Sequence, residues 1–169
     1  MKTQFSILKK AFFLVLIVFA TMPAFSQSKL LVGSWRLTAA DKILPNGSQV
    51  ADYGTDPRGI AIFTADGHYV VEIFRSEHVK FASGDRAKGT AEEYRDAVMS
   101  TSCHFGTYSA YMPDNTKGTI TFHTERGSYP NWDETTRVAN FTIEGEKITW
   151  RGARRPDGSV PVSIFSRIR

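Results

Sequence analysis

Turn signals recur along this chain at short intervals, and they bound what it can fold into. Pro45-Asn46-Gly47, Asp66-Gly67, Glu144-Gly145-Glu146 and Pro156-Asp157-Gly158 all have hairpin chemistry. Asn, Asp and Gly accept the positive φ values that tight hairpin turns require. Between the turns lie short runs with a two-residue alternation, the period of a strand with one face inward. Strands are expected at Leu31 to Leu44, Gly59 to Thr64, His68 to Phe74, Phe105 to Met112, Gly118 to Glu125, Thr135 to Glu144, Glu146 to Gly152 and Val160 to Ile168, with a short piece at Gln49 to Tyr53. The first strand is expected to alternate Trp35, Leu37, Ala39, and the third to put Tyr69, Val71 and Ile73 on one face.

Only one interruption is helical. Arg75 to Gly89 is polar and long for a connection, as lids and mobile segments are. Thr90-Ala91-Glu92-Glu93 then forms a capping box that starts a helix over about Ala91 to Ser102, with Tyr94, Ala97 and Val98 on one face. About eight strands joined mainly by hairpins, plus one short helix, make an all-β chain. An up-and-down antiparallel barrel needs only such connections, and closure removes its edges. Eight strands leave room for packed side chains or one small ligand. A flat sandwich is the alternative, since periodicity does not show closure.

The N-terminus carries different information. Lys2, Lys9 and Lys10 precede the apolar run Ala11 to Ala20, and Ala24-Phe25-Ser26 supplies small residues for a cut before Gln27. Residues 1–26 therefore read as a secretory signal peptide, too short in its apolar run to span a bilayer. Residues 27–169 read as one exported domain, periplasmic or extracellular. Three of the 21 Lys and Arg lie in the leader and no acid does, so the rest of the chain is close to neutral at net +1. That removes the electrostatic case for a nucleic-acid partner. The single cysteine, Cys103, excludes an internal disulfide, so stability comes from packing; it is expected to be a buried, inert thiol at the end of the helical pattern.

Several collinear motifs resemble those of the bacterial and fungal lipocalin-like domain family. Gly33-Ser34-Trp35 is similar to the lipocalin G-x-W. Pro57-Arg58-Gly59 with Phe63-Thr64-Ala65-Asp66-Gly67, then Phe81-Ala82-Ser83-Gly84-Asp85, Phe105-Gly106-Thr107-Tyr108, and Pro130-Asn131-Trp132 followed by Arg137 resemble further family motifs in the same order. The resemblance spans about Leu31 to Trp150. It implies a lipocalin-like barrel and either a carrier or a cofactor-free barrel enzyme. Where relatives often carry two adjacent histidines, this chain has Phe122-His123-Thr124-Glu125, so a paired-histidine role does not carry over.

His123 and Glu125 share a face and, if that face is the lumen, form a carboxylate–imidazole pair able to move a proton. They are the candidate catalytic residues. Arg137 shares its face with Ala139, Phe141 and Ile143. It either meets a ligand carboxylate inside the barrel or reaches water at the rim. Tyr69, Tyr108 and Trp132 are candidates for an aromatic ligand wall. These six residues form the expected ligand site. Trp35 is expected to plug the closed end. The histidines lack metal-ligand spacing, and no nucleophile elbow, phosphate loop, zinc or dinucleotide motif occurs, so neither metal nor cofactor is expected. The favoured function is binding of a small, mostly hydrophobic molecule within the barrel. The alternatives are a cofactor-free isomerase or cyclase using His123 and Glu125, and a structural barrel with a filled core.

Overall fold

The computed structural model describes residues 29–169. The signal-peptide expectation, at residues 1–26, falls outside them. The described chain runs β1 (Gly33–Ile43), β2 (Gln49–Ala51), β3 (Arg58–Phe63), β4 (His68–Phe74), α1 (Ala91–Met99), β5 (Thr101–Tyr111), β6 (Lys117–Gly127), a 3-10 turn (Pro130–Trp132), β7 (Thr135–Glu144), β8 (Lys147–Arg151) and β9 (Val160–Arg167). Every strand pairing is antiparallel, and β1 pairs with β9, so eight strands close into an up-and-down barrel. β2 stands outside the ring, extending the upper edge of β1 through Asp41–Ile43. The sandwich alternative is thereby excluded.

One end of the barrel is sealed. Trp35 is fully buried there, and its indole N–H donates to the Leu31 carbonyl at 2.8 Å. The Arg167 guanidinium lies 4.1 Å over the Trp35 ring and donates to the carbonyls of Val32 (2.9 Å) and Leu30 (2.5 Å). One cation thus covers the plug and ties the last strand to the residues before the first. Trp35 is the plug the sequence led us to expect. Inside it, Phe63 meets Tyr108 edge-on at 5.0 Å and Trp150 at 6.1 Å, and Trp150 leans on Phe165 at 4.3 Å.

Two bulges decide which side chains enter the barrel. On β1 the pairing with β9 slips between Leu37 and Ala39, and Thr38 uses its hydroxyl to donate to the Ile164 carbonyl. An extra residue reverses the alternation beyond it. Ala40 therefore faces inward, not Ala39 as simple alternation predicts. On β6 the pairing with β5 slips opposite Phe105 and Gly106, and Glu125 is the extra residue. Gly106, at φ +154, makes this possible, because a Cβ there would collide with the His123 carbonyl oxygen.

The helix is shorter than its pattern. The capping box forms as expected, with Thr90 Oγ1 accepting from the Glu93 N–H and the Glu93 carboxylate accepting from the Thr90 N–H. The chain leaves the helix at Ser100, which caps it, and β5 begins at Thr101. α1 buries none of its residues. Tyr94 serves its own loop, receiving the Gly89 N–H, donating to the Arg86 carbonyl and packing on Phe81 at 5.4 Å. Cys103 is a strand residue and only half-buried, not buried as expected; burial raises its thiol pKa.

Candidate functional site

The upper, open half of the barrel encloses a cavity of about 500 Å³. Val71, Ile73, Ala139 and Val162 form its walls, with Phe122 and Trp150 shared between it and the aromatic cluster beneath. The size is in the range of about 300–1,000 Å³ typical of small-molecule pockets, as is the excess of apolar walls over polar groups.

Tyr53, with Asp52 and Arg155, stands at the mouth. Asp52 is held from two sides, by Lys42 Nζ at 3.0 Å and Arg155 Nη1 at 2.8 Å. The Asp52 and Tyr53 N–H groups both donate to the Ala40 carbonyl, and Ser76 N–H donates to the Tyr53 carbonyl. Burial and the Asp52 charge raise the Tyr53 phenol above its usual range.

A polar row also lines the cavity. His104, on β5, enters the lumen two residues before Gly106. Its Nδ1 is 3.0 Å from the Tyr69 hydroxyl, which lies 3.1 Å from Thr124 Oγ1. Phe122 and Trp132 meet the His104 ring edge-on at 5.6 and 5.7 Å. Burial, reinforced by the nearby Arg137 charge, lowers its pKa to about 3, so the imidazole is neutral at physiological pH. Arg137 completes the row. β7 directs it inward beside Phe122, its register partner. Its guanidinium lies 4.0 Å over the Trp132 ring, and its Nη1 is buried without a hydrogen bond. Burial lowers its pKa.

Trp132 owes its position to the turn after β6. Gly127 N–H donates to Asp133 Oδ1 (2.9 Å), Cys103 N–H to Ser128 Oγ (3.0 Å), and Thr135 Oγ1–H to the Trp132 carbonyl (2.6 Å). These bonds fix the 3-10 turn to the start of β5 and hold the indole beneath Arg137. Tyr129 supports it from the outside, edge-on at 5.6 Å.

The structure thus brings together three of the six expected site residues. Trp132 and Arg137 line the cavity, and Tyr69 reaches it through His104. Tyr108 lies in the sealed half, its hydroxyl donating to the Thr64 carbonyl at 3.0 Å, and burial raises its pKa to about 12. His123 and Glu125 require a correction of placement. Both are exposed on the outer surface, because Ile120, Phe122 and Thr124 take the inward positions of β6 and Glu125 is the bulged residue. His123 Nδ1 faces Thr136 Oγ1 at 3.2 Å, not Glu125. The sequence reading overlooked His104, Tyr53 and the Asp52–Arg155 pair. His104 was legible in principle, since it precedes Gly106, Tyr108 and Ala110 in strict alternation. Among the described residues no group of three or more His, Cys, Asp and Glu side chains forms a metal-binding cluster.

The sequence profile of the lipocalin-like domain matches residues 32–161. No curated protein and no solved structure matches the chain. With the match covering most of its length and the closed eight-strand barrel beneath it, the chain belongs to the lipocalin-like domain family.

Proposed function

We propose that this protein is an exported carrier that holds one small, mostly apolar molecule in the open half of its barrel. The observation that carries the reading is the cavity itself: about 500 Å³ of space with aliphatic and aromatic walls, inside a barrel whose other half is filled. Hydrophobic walls supply affinity roughly in proportion to the apolar area they cover. His104, Tyr69 and Arg137 supply orientation from one side. Lys2, Lys9 and Lys10 ahead of the apolar run Ala11 to Ala20, with Ala24 and Ser26 before Gln27, support reading residues 1–26 as a cleaved export signal. No observation favours proton transfer by His123 and Glu125, which face away from the cavity.

Native mass spectrometry of protein from its own host tests both parts. The expected spectrum has a polypeptide beginning at Gln27 and a stoichiometric extra mass that disappears on denaturing extraction. A bare polypeptide, together with no binding of the neutral apolar dye N-phenyl-1-naphthylamine, would overturn the carrier reading. A mass retaining residues 1–26 would overturn the export reading.

A further inference from the structure

We propose that the ligand carries a single carboxylate-type oxyanion and that Arg137 is the group that receives it. The inference rests on the carrier reading and narrows its ligand class.

An arginine cannot shed its charge at accessible pH, and it presents up to five N–H donors in a rigid plane. Buried donors in folded proteins are almost always paired. Arg137 departs from that pattern: Nη1 is the one buried side-chain nitrogen or oxygen among the described residues without a partner. No described carboxylate forms an ion pair with it, although eight pairs between Lys or Arg and a carboxylate occur in the described chain. The acids that line the same cavity are engaged. Asp52 is held by Lys42 and Arg155, and Asp41 accepts a hydrogen bond from Gln49 at 2.7 Å. The polar neighbours are also committed, since Tyr69 bonds to both His104 and Thr124.

What Arg137 does have is support. The Trp132 ring under its guanidinium fixes the plane of the fork, and the 3-10 turn fixes the ring. An oriented cation with an open donor and no counter-charge is complementary to a planar oxyanion, which a guanidinium binds through two parallel hydrogen bonds. Arg155, the other cavity-lining cation, is paired with Asp52 at 2.8 Å, which leaves Arg137 as the lining cation with no carboxylate within ion-pair distance among the described residues. The apolar walls then belong to the body of the ligand.

The test uses two dyes with the same rings, the neutral N-phenyl-1-naphthylamine and its anionic 8-sulfonate, titrated by fluorescence against ligand-stripped protein. Wild type, Arg137→Met and Arg137→Lys are compared, with near-ultraviolet circular dichroism reporting folding. The sulfonate is expected to bind wild type at least about tenfold tighter than the neutral dye, as charge-assisted pairing predicts. Arg137→Met should abolish that preference and Arg137→Lys should retain part of it, the preference being the ratio of the two dyes' affinities within each protein. Equal affinities for the two dyes in wild type, or a preference that survives in Arg137→Met, would overturn the inference and leave the carrier reading standing. Parallel weakening of both dyes in both variants would assign Arg137 a structural role and also overturn it. Binding of neither dye to wild type would bring down the carrier reading and this inference together. Should Arg137→Met fail to fold, the Arg137→Lys comparison decides, with an unchanged sulfonate preference counting against the inference.

Discussion

The sealed and open halves of the barrel are made from the same strands but differ in what those strands carry. On β1, Trp35 and Leu37 fill the sealed half and Ala40 borders the open one. On β9, Phe165 gives way to Val162, and on β7, Phe141 gives way to Ala139 and then Arg137. Tyr69 on β4 is followed upward by Val71 and Ile73. Side-chain size therefore tapers along several strands in the same direction. Eight strands fix a radius, and the residue volumes at each level decide whether that radius is filled or left open. One half supplies the stability that lets the other remain hollow.

The largest effect expected from this division is in the sealed half. Phe165→Ala, at a fully buried ring, should cost about 3–5 kcal/mol in urea unfolding. A smaller loss would mean that the cluster collapses around the gap and is less tightly packed than it looks.

The second effect concerns acid. His104 has its pKa lowered from 6.5 to about 3 on folding. Below about pH 6.5 the unfolded chain takes up a proton that the folded one refuses, so stability falls as pH drops toward 3, by up to about 1.4 kcal/mol per pH unit. His104→Gln should flatten the fall between about pH 6.5 and 3, the window bounded by the unfolded and folded values. Denaturant titrations at stepped pH check this. Identical slopes in the two proteins would show that His104 is less secluded than its position in the polar row implies.

A matched pair of substitutions tests the taper directly. Ala61→Leu adds bulk at a fully buried site in the β3 wall and should cost about 1–3 kcal/mol. Ala139→Leu adds the same bulk at the cavity wall, where it has space to occupy. It should change stability by less than about 1 kcal/mol while weakening binding of the neutral dye. Equal costs at the two sites would erase the distinction between the halves. The smallest effects belong to the outer face. His123→Ala and Glu125→Ala should each shift stability within about 0.5 kcal/mol and leave dye binding unchanged.

How much of this was legible depended on whether the alternation was interrupted. Tyr69, Val71 and Ile73 on β4, and Ala139, Phe141 and Ile143 on β7, face the interior as their spacing predicts. Thr38 and Glu125 are the residues that break the rule, since a bulge depends on pairing with a neighbouring strand and leaves no period of its own. The lumen side of β6 was legible from Ile120 and Phe122, the apolar members of the strand; attention to the chemistry of His123 and Glu125 pointed to the wrong face. His104 was passed over because the helix was expected to run to about Ser102 and the strand to begin at Phe105, whereas the Ser100 cap ends the helix and β5 begins at Thr101. The family motifs indicated the barrel but not the cavity, which depends on how residue sizes are distributed by height.

The seam between β1 and β9 also governs the order in which the molecule can assemble. All other joints of the ring connect strands closer in sequence, the widest being β4 to β5 with residues 75–100 between them. The seam joins partners as far as 137 positions apart, as in the bond from Arg167 to Leu30. Contacts of such long separation are slow to form, because the intervening chain loses its freedom before the contact is made. The meander can therefore grow early, but the ring cannot close until β9 has been made. Until that moment the growing sheet has two free edges able to recruit strands from other molecules, and Trp35 lacks the cation that covers it. β9 thus marks the end of a vulnerable interval in folding, and a chain released before that strand is made would remain an open sheet.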